Sequence, residues 1–411
     1  MASLPGTGCR QSPEGFALTI KQITSGEAHQ LFGYIGQSKT IPWNASGRYI
    51  LGLRTAFHDR LPGPDDPAQV ILIDTQQQYQ VQVLDETRGW NHQQGTMFYW
   101  NPDAPETQFF FNDRDPDTGK IFTVLFDIST MDRLREYRFA DTPVGNSGVA
   151  PGGGSFLAIN YARMARLRPV TGYQGATDWT EGIHAPEDDG IFQVAIETGQ
   201  KRLLVSFQEM ADALRIRYPE IDEIPLFINH TLWNRKDDRI WFFARGNWAR
   251  ARSAGEPRGQ RINVSFTIKP DGTGLTMHEH IGGHPEWGEE HVIIGVREDR
   301  QILYDVDQKA IIGQLGNPDI FPNPEGDIAL SPDGKFFVNG YRVGDNNYYV
   351  VYRMKDGVYV ESEGLSCGGY TRGDLRIDPA PRWNRTSDAL LVPGWTASGT
   401  RQMHVIEIVT R

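Results

Sequence analysis

Three short polar segments place histidine or carboxylate side chains immediately before stretches that have the pattern of β-strands. They are Asn229-His230 before LW, His284 before PEW, and Glu325-Gly326-Asp327 before IALS. Imidazole exchanges protons near neutral pH, and imidazole with carboxylate oxygens can bind a divalent cation such as Mn²⁺ or Ca²⁺. Such side chains can equally hydrogen-bond a neighbouring strand, so both interpretations stay open.

Arginine is concentrated in one segment, INYARMARLRPVTGYQG (159–175), which contains Tyr161, Arg163, Arg166, Arg168 and Tyr173. Guanidinium groups bind carboxylates through paired hydrogen bonds, so this segment is a candidate site for an acidic ligand. The alternative is a solvated arginine face.

Another polar group, His92-Gln93-Gln94, stands before the strand-like FYW, and the sequence NDRD (112–115) follows that strand. The sequence has no G-x-S-x-G elbow, H-E-x-x-H helix, P-loop or C-x-x-C pair. Any chemistry must therefore come from groups that are distant in sequence and that the fold brings together.

The elements that would position these groups belong to a weak but regular repeat. An apolar or aromatic pair, a polar turn and an apolar strand recur seven times: PWNASGRYILGL, YWNPDAPETQFFFN, VAPGGGSFLAIN, LWNRKDDRIWFFAR, EWGEEHVIIGV, LSPDGKFFVNGY and RWNRTSDALLVPG. A second alternating strand usually follows each unit, as in QVILIDTQQQ and FTVLFDISTMD. This pattern predicts an all-β, seven-bladed β-propeller with four-stranded antiparallel blades, in which the repeated tryptophan is mainly structural.

In such a ring the final strand, MHVIEIV, should pair with the N-terminal ALTIKQIT to close the circle. Residues 1–411 are expected to form a single domain in which 1–15 are an irregular tail, and only 206–221 look helical. Equivalent positions of successive blades point to the same face, so the histidine and carboxylate segments should meet across the channel.

Composition limits the function. The formal net charge of −11 argues against nucleic-acid and anionic-membrane binding, and no apolar run approaches a membrane span. The start of the chain has no apolar stretch typical of a signal peptide. The two cysteines, Cys9 and Cys367, can pair once or stay free, and a monomer is expected.

Several segments together resemble one family. The segments WNHQQGTMFYWNP, FNDRD, INYARMARLRP, INHTLWNRKDDRIWFFARG, GGHPEW and EGDIALSPDG are similar to the oligogalacturonate lyases, a family more distantly related to ulvan and rhamnose–glucuronate lyases. The resemblance covers roughly residues 40–400. It implies a propeller lyase that cleaves an acidic oligo- or polysaccharide beside a uronate by β-elimination, in an extracellular or periplasmic location.

The resemblance also implies roles for individual residues. His230 matches the catalytic histidine and His284 a metal-binding histidine, and Glu325 and Asp327 stand where the family has a histidine pair, which leaves open whether a metal binds. The predicted catalytic residues are His230, Arg163, Arg166, Arg168, Tyr173 and His92; the predicted substrate-binding residues are Gln93, Tyr161, Arg245 and Trp248; and the predicted metal ligands are His284, Glu325 and Asp327.

Two other functions remain open at this point. A glycoside hydrolase acting at a rhamnose–uronate linkage needs two carboxylates, which Glu325, Asp327, Asp113 and Asp115 could supply. A non-catalytic propeller of the TolB or WD type would bind glycan or protein without turnover.

Overall fold

The computed structural model describes residues 15–33, 40–248, 260–279 and 281–410, and it is a seven-bladed β-propeller. Each blade is an antiparallel sheet of four strands, and the sixth blade carries a fifth short strand. The predicted fold class is therefore confirmed. Gly15 is the only described residue of the predicted N-terminal tail, and Cys9 lies outside the described residues.

The strands follow the ring in chain order. Blades one to three are β2–β5 (His29–Leu31, Tyr49–Thr55, Ala68–Asp74, Gln80–Thr87), β6–β9 (Tyr99–Trp100, Gln108–Arg114, Ile121–Asp127, Asp132–Tyr137) and β10–β13 (Gly145–Val149, Ser155–Ile159, Gly190–Ala195, Lys201–Ser206). Blades four and five are β14–β17 (Phe227–Trp233, Ile240–Gly246, Ile262–Ile268, Thr276–His278) and β18–β21 (Gly282–Trp287, Val292–Arg297, Arg300–Asp305, Ala310–Leu315). Blade six is β22–β26 (Asp327–Leu330, Phe336–Val343, Asn346–Arg353, Tyr359–Glu361, Leu365–Ser366).

Blade seven closes the ring with strands from both ends of the chain. Strands β27 (Arg382–Trp383), β28 (Ala389–Trp395) and β29 (Arg401–Thr410) are completed by β1 (Phe16–Gln22), which pairs antiparallel with β29 from Phe16↔Thr410 to Gln22↔His404. The predicted pairing of the last strand with the N-terminal strand is confirmed.

The repeated tryptophans tie neighbouring blades together. The indole N–H of Trp233 donates to the carbonyl of Gly148 at 3.1 Å, that of Trp287 to Leu232 at 2.8 Å, and that of Trp383 to Ala329 at 3.0 Å. In each case the acceptor belongs to the first strand of a preceding blade, and the indole is buried. A buried indole needs both apolar contact and an acceptor for its N–H, which explains why tryptophan recurs at this position.

Among the residues that the structure describes, two helices interrupt the β architecture. Helix α1 (Tyr161–Leu167) lies between β11 and β12, and helix α2 (Phe207–Leu214) follows β13. Single 3₁₀ turns occur at Pro169–Thr171 and Ile221–Glu223. The predicted helix at 206–221 is therefore present but ends at Leu214, and Pro219 disfavours helical backbone at the residue before it. The sequence did not indicate α1.

The first strand of each blade borders the central channel, and all seven begin at the same face of the ring. Because neighbouring strands are antiparallel, the turns between second and third strands reach this face too. We call this face, with the channel opening, the mouth. Within the described residues no helix has the length and apolar character required to span a bilayer.

Candidate functional site

His230 stands on the channel wall in an unusual backbone conformation. It lies in β14 with φ of 60°, at a β-bulge where the pairing with β15 shifts between Asn229 and Leu232. A residue with a Cβ rarely adopts this left-handed region, and such strained positions concentrate at functional sites. The imidazole is half-buried, and it borders a small cavity that is also lined by Gln94 and Tyr161.

The surroundings of His230 are positively charged. Burial and then the charge of Arg245 hold the pKa of His230 well below its ordinary value, and His284, Arg168 and Arg382 lower this pKa further. The imidazole is therefore neutral at neutral pH and offers a lone pair that can accept a proton. Arg382 is buried in β27, on the channel side of blade seven.

His284 faces His230 from the next blade, and the two ring centres are 6.3 Å apart. Its Nδ1 atom is 3.4 Å from the Asp327 carboxylate and 3.2 Å from the carbonyl oxygen of Glu325. Asp327 is buried and also accepts the backbone N–H of Ala380 at 2.9 Å. Burial raises the pKa of Asp327, and His284 opposes that shift. The structure thus brings His230, His284 and Asp327 together at the mouth.

The predicted metal ligands do not form a ligand set in this arrangement. Asp327 directs its carboxylate to His284 and Ala380, while Glu325 is exposed and contacts His284 through its backbone carbonyl. Across the described residues, no three His, Cys, Asp or Glu side chains are grouped so that they could hold a metal ion. The arginines that depress the pKa of His230 would also repel a divalent cation, so these donors fit a metal poorly.

Beside His230, three arginines surround one indole ring. The guanidinium carbons of Arg261, Arg245 and Arg168 lie 3.2, 4.7 and 5.2 Å from the ring centre of Trp248. We call Arg168, Arg245, Arg261 and Trp248 the arginine cluster. Burial, with the nearby charge of Arg376, lowers the pKa of Arg168 to about 10, which still leaves it cationic at neutral pH. The protein carries a net negative charge, yet this part of the mouth gathers several positive charges.

Two of the predicted catalytic arginines lie elsewhere. Arg163 is buried, and its guanidinium donates to the carbonyls of Leu226 (2.6 Å), Ile183 (2.9 Å) and His184 (2.5 Å) and to a threonine hydroxyl. It holds loops together and has no donor directed to the channel. Arg166 lies one helical turn further along α1 and forms an exposed ion pair with Asp178. The prediction that Arg163 and Arg166 contact a substrate carboxylate therefore does not agree with their positions in the structure.

Tyr161 and Tyr173 form a buried stack whose ring centres are 4.4 Å apart. The Tyr161 hydroxyl donates to the carbonyl of Asn146 at 3.0 Å, and Tyr173 accepts from the Asn112 amide at 3.0 Å. Burial raises the pKa of both phenols above the ordinary value, which makes either one a poor base. Tyr173 as a catalytic group and Tyr161 as a direct substrate contact do not agree with this burial.

His92 and Gln93 are buried next to the mouth. His92 is buried, its Nε2–H donates to the carbonyl of Arg60 at 2.9 Å, and its ring centre is 4.6 Å from that of His58. Burial and the charge of Arg401 lower the pKa of His92 to about 3, so it is neutral and enclosed rather than catalytic. Gln93 accepts a hydrogen bond from Arg376 at 2.9 Å and so positions a mouth arginine.

Three of the four carboxylates considered for hydrolysis are engaged with other groups of the protein. Asp113 is ion-paired with Arg133 at 3.0 Å, and Asp115 binds its own turn at Thr118. Both belong to the second blade, whereas Glu325 and Asp327 belong to the sixth. The contacts of Asp113, Asp115 and Asp327 therefore disfavour these groups as the acid and base of a hydrolase.

Sequence reasoning missed three cations at the mouth: Arg261, Arg376 and Arg382. Arg382 directly precedes the repeated Trp383, so the repeat places it in the first strand of blade seven, but at a different position from His230 and His284. Arg261 and Arg376 lie in irregular segments before β16 and β27. The repeat pattern of the strands does not predict where side chains of such segments lie.

Comparisons with known proteins agree on the architecture. No protein family matches the sequence, and no curated protein sequence is a significant match. Among solved structures, an oligogalacturonate lyase in complex with manganese is similar, with a TM-score of 0.62, 14% sequence identity and coverage of 97% of both chains. The propeller domain of the Trilobed protease from Pyrococcus furiosus has a TM-score of 0.50 and 9% identity, covering 94% of this chain and 99% of that one.

TolB from Acinetobacter baumannii is also similar, with a TM-score of 0.40 and 11% identity over 96% of this chain and 98% of its own. At these identities the likeness to the lyase and to the protease domain shows the propeller fold alone. A relation to ulvan or rhamnose–glucuronate lyases is not shown.

Proposed function

We propose that this protein is a lyase that cleaves a uronate-containing glycan by β-elimination, with His230 as the base and the arginine cluster as the carboxylate site. One observation carries the proposal: a neutral histidine, held at φ of 60° on the channel wall, stands beside arginines that come from different blades. The likeness to a lyase in overall structure supports the same reaction class.

The chemistry follows from these groups. His230 takes the C5 proton of the uronate, the electrons of that C–H bond form the C4–C5 double bond, and the C4–O bond breaks as the leaving oxygen takes a proton from water. Negative charge develops on the uronate carboxylate during proton removal, and guanidinium groups held in place stabilise it. Bound carboxylate also offsets the positive charge around His230, which makes the imidazole a stronger base in the complex.

No step is assigned to a metal ion, because the arginine cluster already supplies positive charge and the donors around His284 do not form a ligand set. The substrate we propose is an acidic oligo- or polysaccharide, which agrees with a local anion site on a protein of net charge −11. An extracellular or periplasmic location, where such glycans occur, is part of this proposal.

The test is a screen of pectic, ulvan, glucuronan and gum-type oligosaccharides for products that absorb in the ultraviolet as conjugated unsaturated uronates. His230→Asn should lower turnover about 100-fold or more on the active substrate while the protein stays folded. His291→Asn is the matched control, because His291 is half-buried between Asp238 and Asp307 at the opposite face of the ring.

Products without the unsaturated bond would indicate a hydrolase instead. Absence of turnover on every glycan would favour a binding propeller.

A further inference from the structure

The ring of Trp248 contacts several cationic side chains and one aromatic side chain. Guanidinium groups lie over its ring at 3.2 Å for Arg261 and 4.7 Å for Arg245, and Phe227 meets it edge-on with ring centres 6.4 Å apart. Sugars stack on the faces of aromatic rings, and here arginines occupy those positions. The stacking role that a tryptophan at a glycan site usually suggests does not fit these contacts.

The three arginines come from separate segments and repel one another. Arg168 follows α1, Arg245 is near the end of β15, and Arg261 directly precedes β16. Within the described part of the chain, neither Arg168 nor Arg261 has a carboxylate at ion-pair distance. Asp374 and Asp378 act on Arg168 only from further away, and the charge of Arg261 lowers the pKa of Arg168.

Something must offset the repulsion between these like charges. The Nε–H of Arg245 donates to the neutral side chain of Asn263 at 2.9 Å. The contact that all three arginines share is the electron-rich face of the Trp248 indole, which attracts cations. Trp248 therefore occupies the centre of the cluster.

We propose that Trp248 is a positioning residue: its indole gathers Arg168, Arg245 and Arg261 into one anion-binding group and does not itself stack on the substrate. The nature of the anion, a glycan carboxylate, rests on the proposed function. The gathering of the arginines does not.

A double-mutant cycle tests the proposal, with Kd for trigalacturonate measured by titration calorimetry. Trp248→Leu should weaken binding about 10-fold and flatten the dependence of Kd on salt, because the guanidinium groups disperse. Trp248→Leu combined with Arg261→Gln should be no weaker than Trp248→Leu alone by more than about 2-fold, since the indole acts through the arginine. Additive losses would mean that Trp248 contacts the sugar itself, and would overturn the proposal.

Trp248→Phe keeps a smaller aromatic face and should weaken binding about 3-fold, again without additivity with Arg261→Gln. It decides the question if the leucine variant fails to fold. The control is Tyr79→Leu, which removes a cation–π contact with Lys21 (4.4 Å) away from the mouth and should leave Kd unchanged.

If the wild-type protein does not bind trigalacturonate, the proposed substrate class fails, and the same series is measured with inorganic sulfate at constant ionic strength. Weaker sulfate binding in Trp248→Leu would then support the positioning role, and equal binding in both proteins would overturn it.

Discussion

At the scale of single residues, His230 combines backbone strain with an unfavourable electrostatic position. Its φ of 60° crowds the Cβ against the backbone, and the arginines around it disfavour its protonated form. Glycine adopts this conformation more easily than a residue with a Cβ. The strain is what sets the imidazole on the channel wall, and it links the bulge in β14 to the proposed chemistry.

The strain can be measured by comparing His230→Gly with His230→Ala. Both variants lack the imidazole and should lose turnover equally, but only alanine keeps a Cβ in the left-handed region. The glycine variant should therefore be more stable by about 1 kcal/mol in the free energy of unfolding, measured by denaturant titration. An alanine variant as stable as the glycine variant would show that the bulge relaxes and carries no strain.

At the scale of secondary-structure elements, strand β1 closes the ring by pairing with β29. Phe16 at its start is buried, and its ring meets Phe336 of the sixth blade edge-on with centres 5.4 Å apart. This contact extends the closure beyond the β1–β29 ladder and joins the N-terminal strand to two blades. The closure also keeps β28 and β29 in register. It thereby holds Arg401, the first residue of β29, in its position near the mouth.

Phe16→Ala should lower the free energy of unfolding by about 3–5 kcal/mol, because it removes a buried aromatic ring from the seam. Thr19→Ala is the control: Thr19 lies on the same strand but is exposed, so its replacement should change stability by less than about 0.5 kcal/mol. Thermal and denaturant unfolding both measure the effect. Equal stability of the two variants would mean that the ring does not depend on this contact.

The elements also show where the sequence was sufficient. Alternation and turn residues repeat in phase, so seven blades, their closure and the convergence of His230 with His284 could be predicted. Helix α1 could not: its seven residues are an insertion, and their rotation about the helix axis decides that Arg163 is buried and Arg166 exposed. The spacing of the arginines in the sequence does not reveal this rotation. Of the three arginines, only Arg168 reaches the arginine cluster.

At the scale of the whole molecule, the ring brings basic side chains together at the mouth, although the protein is acidic overall. The sequence has 52 acidic and 41 basic residues, yet the mouth gathers arginines from blades three, four and seven. The net charge of the protein therefore indicates the average charge of its surface and does not reveal the positive charge at the mouth.

The interior of the ring predicts how stability depends on pH. Burial is the main cause of lowered pKa values at several histidines, to about 2 for His58, about 3 for His92 and about 4 for His278, and His29, His230 and His404 shift in the same direction. Below about pH 6.5 the unfolded chain binds protons at these histidines while the folded protein does not, so acid favours unfolding.

Three buried carboxyl groups act in the opposite sense. Burial raises the pKa of Asp189 and Glu286 to about 7 and also raises that of Asp327, so the folded protein takes up these protons first as the pH falls below 7. Six histidines outnumber three carboxyl groups, and each unmatched histidine costs about 1.4 kcal/mol per pH unit at full effect. The free energy of unfolding should therefore fall between pH 6.5 and 5, as measured by denaturant titration at each pH. His92→Gln should reduce this slope, because a glutamine does not titrate. A stability that stays constant or rises over this interval would mean that the buried histidines take up protons in the folded ring.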